Sequence, residues 1–156
     1  MRFCVVGAGA MGGVYGLSLI DAGYEVDFLD VNLDHIKSVK KDGFRISGIG
    51  GKRVQKVNIS AHENDFVNSA DVVLFQAHTT GTKSAANSVA TVLKPDGWVI
   101  TLQNGIGNIE ALSAVLGEER VVGGISYHSA ALEDLGHVSH TNDGTTFIGE
   151  LNGAIS

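Results

Sequence analysis

Short apolar runs alternate with stripes of helical periodicity along the first 43 residues. The run Arg2–Val6 predicts a buried strand, and residues 24–29 predict a second one. After each strand, apolar residues recur at spacings of three and four, which predicts two helices that end at Gly23 and Gly43. This alternation of strand and helix is typical of a parallel sheet with helical crossovers.

The alternation continues through the middle of the chain. Helical stripes end before Pro95 and at Gly117, and both predict helices. Continuous apolar runs predict three further strands, at 72–75, 98–102 and 120–126.

Two regions are less regular. Residues 44–46 and 54–59 predict short strands around a glycine-rich turn. Near the end, two strand patterns flank Asn142-Asp143-Gly144, a turn sequence that predicts a β-hairpin. We therefore predict one domain, residues 1–156, with a doubly wound α/β fold. Its sheet should be mostly parallel, with the β-hairpin at its C-terminal edge.

A glycine pattern marks the junction of the first predicted strand and helix. It reads Gly7-Ala8-Gly9-Ala10-Met11-Gly12, a G-x-G-x-x-G. In this context the first glycine permits a tight turn and the second lets a pyrophosphate approach the backbone, while the third lets helix and strand pack closely. Amides and the dipole at the helix start favour phosphate. We expect a Rossmann-type dinucleotide site; the alternative is a purely structural turn.

An acidic residue ends the second predicted strand. Asp30 lies 18 residues after Gly12, where dinucleotide-binding folds place a carboxylate that accepts hydrogen bonds from the ribose hydroxyls. A carboxylate at this point would repel a 2′-phosphate. The alternatives are a solvated acid or a cap for the next helix, for which Asn32 is at least as good a candidate.

Two later loops follow predicted strands at the edge where α/β folds bind ligands. In Leu102-Gln103-Asn104-Gly105, the amide of Asn104 can donate and accept at once, which suits a nicotinamide amide or a substrate hydroxyl. An Asn-Gly turn without a ligand fits equally well. Ala77 and His78 follow the strand at 72–75. His78 could act as an acid or base, although a lone histidine in a polar loop is more often only solvated.

Composition restricts the partners. Seventeen acidic against 11 basic residues give a net charge of −6, which argues against nucleic acid or an anionic membrane surface as partner. A phosphate-bearing cofactor bound through backbone amides stays compatible with this charge. No apolar run reaches the roughly 18 residues of a membrane span. The chain starts with a strand pattern rather than a basic leader, so we expect a cytoplasmic protein.

Cysteine and histidine usage predicts neither a disulfide nor a metal site. Cys4 is the only cysteine, which excludes an intrachain disulfide, and its place in the first strand predicts an inert core residue. His128, His137 and His140 lack paired ligand spacing on one helix, so we expect no bound metal.

Several late segments share a more specific pattern. They are Val122-Gly123-Gly124-Ile125, His128-Ser129-Ala130-Ala131, Gly136-His137-Val138-Ser139-His140 and Phe147-Ile148-Gly149-Glu150. Together with the glycine loop and the Gln-Asn-Gly loop, they make nearly the whole chain resemble the N-terminal domain of ketopantoate reductases (2-dehydropantoate 2-reductases). Many dehydrogenases share the glycine loop, whereas the later segments are much more specific.

This resemblance implies an oxidoreductase that reduces the ketone of 2-dehydropantoate to pantoate with NAD(P)H, usually NADPH, on the route to pantothenate and coenzyme A. It places Asn104 beside the nicotinamide and the substrate, and Ala130 near the cofactor. We also expect Ala77 and His78, in the loop after the central strand, to contact the cofactor. The resemblance also implies that the acid, a lysine, and a substrate-binding glutamate belong to a helical C-terminal domain that residues 1–156 do not contain. A homodimer would form through that domain.

Two positions depart from the family pattern. The family usually has a lysine where His78 stands, and a neutral imidazole cannot hold a phosphate or carboxylate as an ammonium would. NADP-using members place an arginine after the second strand, whereas this sequence reads Asp30-Val31. Asp30 therefore favours NAD, against the NADP habit of the family.

Two other functions stay open: an NADH-dependent reductase of another 2-oxo acid, and a non-catalytic dinucleotide-binding domain.

Overall fold

The computed structural model describes residues 1–78 and 82–153, in which helices and strands alternate. None of these helices is both long and apolar enough to cross a membrane. The helices are α1 (Ala10–Asp21), α2 (Leu33–Asp42), α3 (Thr82–Val92) and α4 (Asn108–Leu116). The strands are β1 (Arg2–Val6), β2 (Glu25–Leu29), β3 (Phe44–Gly48), β4 (Arg53–Gln55), β5 (Asn58–Ser60), β6 (Ala70–Phe75), β7 (Leu93–Thr101), β8 (Val121–Ser126), β9 (Ser129–Asp134), β10 (His137–Asn142) and β11 (Thr146–Glu150).

The central sheet of the described residues has seven strands in the order β11-β8-β7-β6-β1-β2-β5. Every neighbouring pair is parallel except β8 and β11. The chain proceeds from β1 to β2 and β5 on one side and from β6 to β7 and β8 on the other. The order therefore reverses between β1 and β6, and such a switch point is where open α/β sheets bind ligands. The predicted doubly wound, mostly parallel fold is confirmed.

A second sheet of four strands, β4-β3-β10-β9, covers helix α1. Because α1 lies between two sheets, glycines occur at the points where the surrounding chain approaches the helix most closely. A Cβ on Gly12 would overlap the carbonyl oxygen of Gly7, and a Cβ on Gly13 would lie 2.7 Å from Cζ of Phe44 in the second sheet. The glycines of α1 thus serve close packing as well as the turn that precedes the helix.

The prediction of a β-hairpin around Asn142-Asp143-Gly144 is wrong. Strand β10 pairs with β3 and β9 in the second sheet, whereas β11 pairs with β8 in the central sheet. The residues read as a turn instead carry the chain from one sheet to the other. The strand predicted at 54–59 divides in the same way, because β4 joins the second sheet and β5 joins β2 in the central one. In both regions consecutive segments join different sheets, so the partner strands rather than the local turn sequence decide the pairing.

Apolar side chains fill a core on each face of the central sheet. On one face, Phe28 packs with α1, α2 and the second sheet; on the other, Phe75 packs with α3 and α4. Cys4 is completely buried in the second of these cores, and its burial raises the pKa of the thiol far above the usual range. The thiolate is therefore inaccessible, as the position of Cys4 in the first strand predicted.

Candidate dinucleotide-binding site

The glycine loop forms the turn between β1 and α1 at the switch point of the central sheet. Gly7 has a φ of +96°, which favours glycine, and a Cβ there would lie 2.6 Å from the amide nitrogen of Ala77 after β6. Gly9 is the N-cap of α1, and as a glycine it has no side chain that could bond to the amides at the helix start. No atom of the described residues lies within 4 Å of a Cβ built on Gly9. Gly9 therefore faces open space at the positive end of the helix dipole.

The start of α1 offers backbone amides to that space. Gly13 N–H donates to the carbonyl of Gly9 at 2.8 Å, which is the first hydrogen bond of the helix. The amides of residues 10–12 precede this ladder, so they have no acceptor within the helix. Two amides of the loop are already engaged, since Gly7 donates to Leu29 O at 2.8 Å and Ala8 donates to Asp30. The amides suited to an anion are therefore those of Gly9 and the first turn.

Asp30 follows β2, and two backbone amides fix its carboxylate. Ala8 N–H donates to Oδ2 at 2.7 Å, and Asn32 N–H donates to Oδ1 at 2.8 Å. Asn32, not Asp30, caps α2, because its Oδ1 accepts from the amides of Asp34 and His35 at 3.1 Å each. The carboxylate is thus held against the glycine loop, and each oxygen keeps a further acceptor position.

The loops after β6 and β7 are joined to each other by Gln103. Its Nε2 donates to the carbonyl of Ala77 and, at 3.1 Å, to Oγ1 of Thr82 at the start of α3. His78 and Asn104 are exposed at this edge of the sheet, and residues 79–81 lie outside the described residues. A continuous set of contacts therefore runs from Asp30 through the glycine loop and Ala77 to the loop that carries Asn104.

Asn108 extends this network into α4. It is buried, its Oδ1 accepts from Thr82 Oγ1 at 2.9 Å, and its Nδ2 donates to the carbonyl of Asn104 at 3.1 Å. The sequence does not mark Gln103, Thr82 or Asn108 as positioning residues, because polar residues at loop-to-helix junctions give no sign of burial. The spacing of four between Asn104 and Asn108 was the one available signal.

Replacing Asn108 with alanine should lower the free energy of unfolding by about 1–3 kcal/mol, because the Thr82 hydroxyl and the Asn104 carbonyl each lose a buried partner. Chemical denaturation followed by circular dichroism measures this loss. Asn64→Ala, at an exposed position, is the matched control and should change stability by no more than about 0.5 kcal/mol. Equal losses in the two variants would show that Asn108 does not hold the loops.

Ala130 lies on a different layer from the other candidate residues. It is half-buried in β9, where it stands opposite His140 of β10 and packs against the core that includes α1. The structure thus places Ala130 on the sheet that covers α1, rather than in the loops after β1, β6 and β7.

Comparison with known proteins identifies the family. The family model described as "Ketopantoate reductase PanE/ApbA" matches residues 3–153. The 2-dehydropantoate 2-reductase of Archaeoglobus fulgidus is 34% identical over 155 residues, covering 99% of this chain and 49% of that protein. The corresponding protein of Pyrococcus horikoshii is 32% identical over 149 residues, covering 96% of this chain and 47% of that one. The chain spans about half the length of the curated relatives it matches.

Solved structures agree with this assignment. The 2-dehydropantoate 2-reductase from Geobacter metallireducens superposes with a TM-score of 0.91 at 28% identity, covering all of this chain and 51% of that one. A D-mandelate dehydrogenase solved with NADH and anilino(oxo)acetate gives a TM-score of 0.88 at 25% identity, covering 97% of this chain and 49% of that one. The chain belongs to the ketopantoate reductase PanE/ApbA family.

Proposed function

We propose that this chain is the cofactor-binding part of a cytoplasmic oxidoreductase that reduces the ketone of 2-dehydropantoate with NAD(P)H, for pantothenate and coenzyme A synthesis. The observation that carries the proposal is the position of Gly9, which faces open space at the start of α1 beside the switch point. Family membership supports this choice of reaction, because relatives with about one-third identity are named 2-dehydropantoate 2-reductase.

The glycine loop would bind the pyrophosphate through its backbone. Gly7 and Gly12 allow the turn and the close packing, and the amide of Ala8 is engaged by Asp30. We therefore assign the phosphate contacts to the amides of Gly9, Ala10 and Met11. This assignment needs no basic side chain, so it is compatible with the negative net charge of the chain.

Asp30 would bind the ribose of the adenosine. Its carboxylate is already oriented by Ala8 and Asn32, and its remaining lone pairs can accept from two hydroxyls. The next residue, Val31, is 91% exposed and brings no positive charge to the place where NADP-using relatives have arginine. Nζ of Lys37 on α2 lies 3.5 Å from Oδ1 of Asp34, an acid on the same helix. We therefore assign NADH as the preferred cofactor.

Asp30→Asn should shift the ratio of the two dissociation constants toward NADPH by about ten- to hundredfold, or roughly 1–3 kcal/mol, because the charge that opposes a 2′-phosphate is removed. Asparagine keeps one acceptor oxygen for the glycine loop. Fluorescence titration of both cofactors measures the ratio. Asp96→Asn removes an equal charge from an exposed position near the start of β7, at the opposite edge of the sheet, and should leave the ratio unchanged. Tighter binding of NADPH by the native protein would contradict the assignment.

The loops after β6 and β7 would hold the nicotinamide and the substrate. When bound, the reduced nicotinamide supplies the hydride that is added to the ketone carbon. Asn104, exposed on a loop held by Asn108, can donate to and accept from a nicotinamide amide or a substrate oxygen. Ala77 and His78 would line the cofactor on the β6 side, and Ala130 would approach it from the second sheet.

A second, helical domain would complete the active site. The chain spans about half the length of its relatives, and we assign the lysine acid and a substrate-binding glutamate to the other half. The lysine would protonate the oxygen of the reduced ketone, and the glutamate would orient the substrate. We also assign a homodimer contact to that domain. We propose neither nucleic acid nor a membrane as a partner.

A second candidate function is NADH-dependent reduction of a different 2-oxo acid. Two observations favour it. The D-mandelate dehydrogenase that matches this fold was solved with NADH and an aryl-substituted oxo acid derivative. In addition, His78 replaces the lysine that the family usually has after β6, so contacts to phosphate or carboxylate groups differ.

Steady-state kinetics of the protein that includes the second domain distinguish these functions. NADH oxidation is followed with 2-dehydropantoate and, in parallel, with the 2-oxo acid that corresponds to mandelate. The highest kcat/KM with 2-dehydropantoate supports the first function, and the highest value with the aryl substrate supports the second. Cofactor binding without turnover of any 2-oxo acid would overturn both and indicate a non-catalytic domain.

A further inference from the structure

Two histidines and an aspartate meet where the chain passes between the two sheets. His128 lies between β8 and β9, His140 lies in β10, and Asp143 lies between β10 and β11. Nδ1 of His128 is 3.0 Å from Nε2 of His140 and 3.4 Å from Oδ1 of Asp143. The ligand atoms of all three residues lie within 4.8 Å of one another. Strand pairing brings them together, so the helical spacing considered in the sequence could not reveal the cluster.

The spacing of these atoms matches that of ligands around zinc. Nitrogen and carboxylate ligands about 2.0–2.2 Å from a tetrahedral Zn²⁺ lie about 3.3 Å from one another. The distances from His128 Nδ1 to His140 Nε2, 3.0 Å, and to Asp143 Oδ1, 3.4 Å, lie on either side of this value. The side chain of Asp143 is 71% exposed, so its carboxylate can move toward His140 without disturbing the core. Zinc sites with three protein ligands and one open position use this donor chemistry.

Electrostatics at the centre of the cluster favour a cation. Nδ1 of His128 is the atom that all members of the cluster share, since it lies 3.0 Å from Nε2 of His140 and 3.4 Å from Oδ1 of Asp143. When this nitrogen carries no proton, it and the carboxylate oxygen of Asp143 are two electron-rich atoms, which repel each other unless a positive partner lies between them. A single proton, on either ring, can lie along only one of these contacts. A divalent cation would satisfy all three ligand atoms at once.

The two chain segments that carry the cluster are already held together. Nδ2 of Asn142 donates to the carbonyl of Tyr127 at 2.9 Å, and Tyr127 N–H donates to the carbonyl of Thr145 at 3.0 Å. The ring of His128 packs edge-on against Tyr15 of α1, with the ring centroids 5.8 Å apart. These contacts preorganise the ligands, which lowers the entropic cost of binding an ion.

We propose that His128, His140 and Asp143 bind a divalent transition-metal ion, with Zn²⁺ as the expected ion. The ion joins the crossing from β8 to β9 with the crossing from β10 to β11, so it ties the central sheet to the second sheet. Two neutral imidazoles and one carboxylate leave a net charge of +1 on the zinc site, and the fourth position takes water. The proposal does not rest on the reaction proposed above.

Zinc titration of the purified protein, freed of any affinity tag and of metal by dialysis against a chelator, tests the proposal. We expect one equivalent of Zn²⁺ to bind, measured by calorimetry and by metal analysis, and to raise Tm. Addition of EDTA should reverse the rise in Tm. Co²⁺ used as a spectroscopic probe should give the visible bands of a four-coordinate site with nitrogen and oxygen ligands. Absence of saturable Zn²⁺ binding in the native protein would overturn the proposal.

Variants assign the site to these residues. Asp143→Asn and His140→Gln should each weaken Zn²⁺ binding by at least about tenfold, which is the lower bound for losing even an outer partner of a metal ligand. His62→Gln, an exposed histidine away from the cluster, is the matched control and should bind as the native protein does. Because Asp143 is mostly exposed, its variant keeps the fold, as circular dichroism will verify. Undiminished binding by Asp143→Asn would exclude this cluster as the site.

Discussion

Replacing Gly9 with valine should weaken NADH binding by at least about 100-fold, or about 2.7 kcal/mol, while the protein stays folded. The expected effect rests on two facts about the same residue. Apart from its two chain neighbours, no atom of the described residues lies within 4 Å of a Cβ on Gly9, and the backbone there is not in the left-handed region. The valine therefore occupies the space through which a pyrophosphate reaches the amides of α1 without disturbing its own surroundings. Fluorescence titration measures the affinity, and thermal unfolding measures the stability.

Gly149→Val is the matched control, because Gly149 also has no described neighbour within 4 Å of an added Cβ, but it lies on β11. It should bind NADH with native affinity. Gly7 and Gly12 are unsuitable for this test, since a Cβ on either would collide with the backbone and change the fold together with the site. Normal NADH binding by Gly9→Val would place the cofactor elsewhere.

The glycine loop and the parallel core could be predicted from sequence because their determinants are local. Residues 2–43 contain two strands, the glycine turn and two helices in one continuous stretch, and the first strand and both helices are each followed closely by a glycine. Asp30 shows the limit of such a pattern. Its place after β2 was predictable, but the two amides that orient its carboxylate come from Ala8, distant in sequence, and from Asn32.

The second sheet could not be predicted in this way because the pairing that joins its two local strand pairs, β3 with β4 and β9 with β10, is not local. Strand β3 pairs in parallel with β10, about 90 residues later, so nothing near either strand indicates its partner. The Asn142-Asp143-Gly144 sequence favours a tight turn by itself. In the folded chain, β10 instead pairs with β9 and β11 completes the edge of the central sheet. The same long-range pairing assembles the cluster of His128, His140 and Asp143.

The polar network beneath the candidate site was also invisible in the sequence. Thr82 and Asn108 are buried only because α3 and α4 pack together on the same face of the central sheet. Their hydrogen bonds connect two helices, and the order of the helices along the chain does not indicate how close the two lie in the fold. Network residues of this kind require the structure, whereas exposed loop residues such as Asn104 can be proposed from their place after a strand.

Residues 1–156 alone should bind NADH and yet reduce 2-dehydropantoate with a kcat/KM at least about 1,000-fold below that of a protein that includes the proposed second domain. The physical reason is the openness of the site. His78 and Asn104 are exposed, and Ile106 in the same loop as Asn104 is 95% exposed, so the substrate side faces water. Hydride transfer needs a substrate held in register with the cofactor in a site that excludes water, and half of a cleft provides little of either.

The measurement compares the rates of NADH oxidation by the two proteins at equal concentrations of cofactor-bound enzyme. Titration of NADH into residues 1–156 supplies the control, because retained binding shows that the low rate does not come from a misfolded chain. The proposed lysine acid gives a further check: replacing it in the longer protein should lower kcat far more than it lowers cofactor affinity. Turnover by residues 1–156 at a rate close to that of the longer protein would show that the catalytic acid lies within this chain. In that case His78, exposed after β6, would be the first residue to replace.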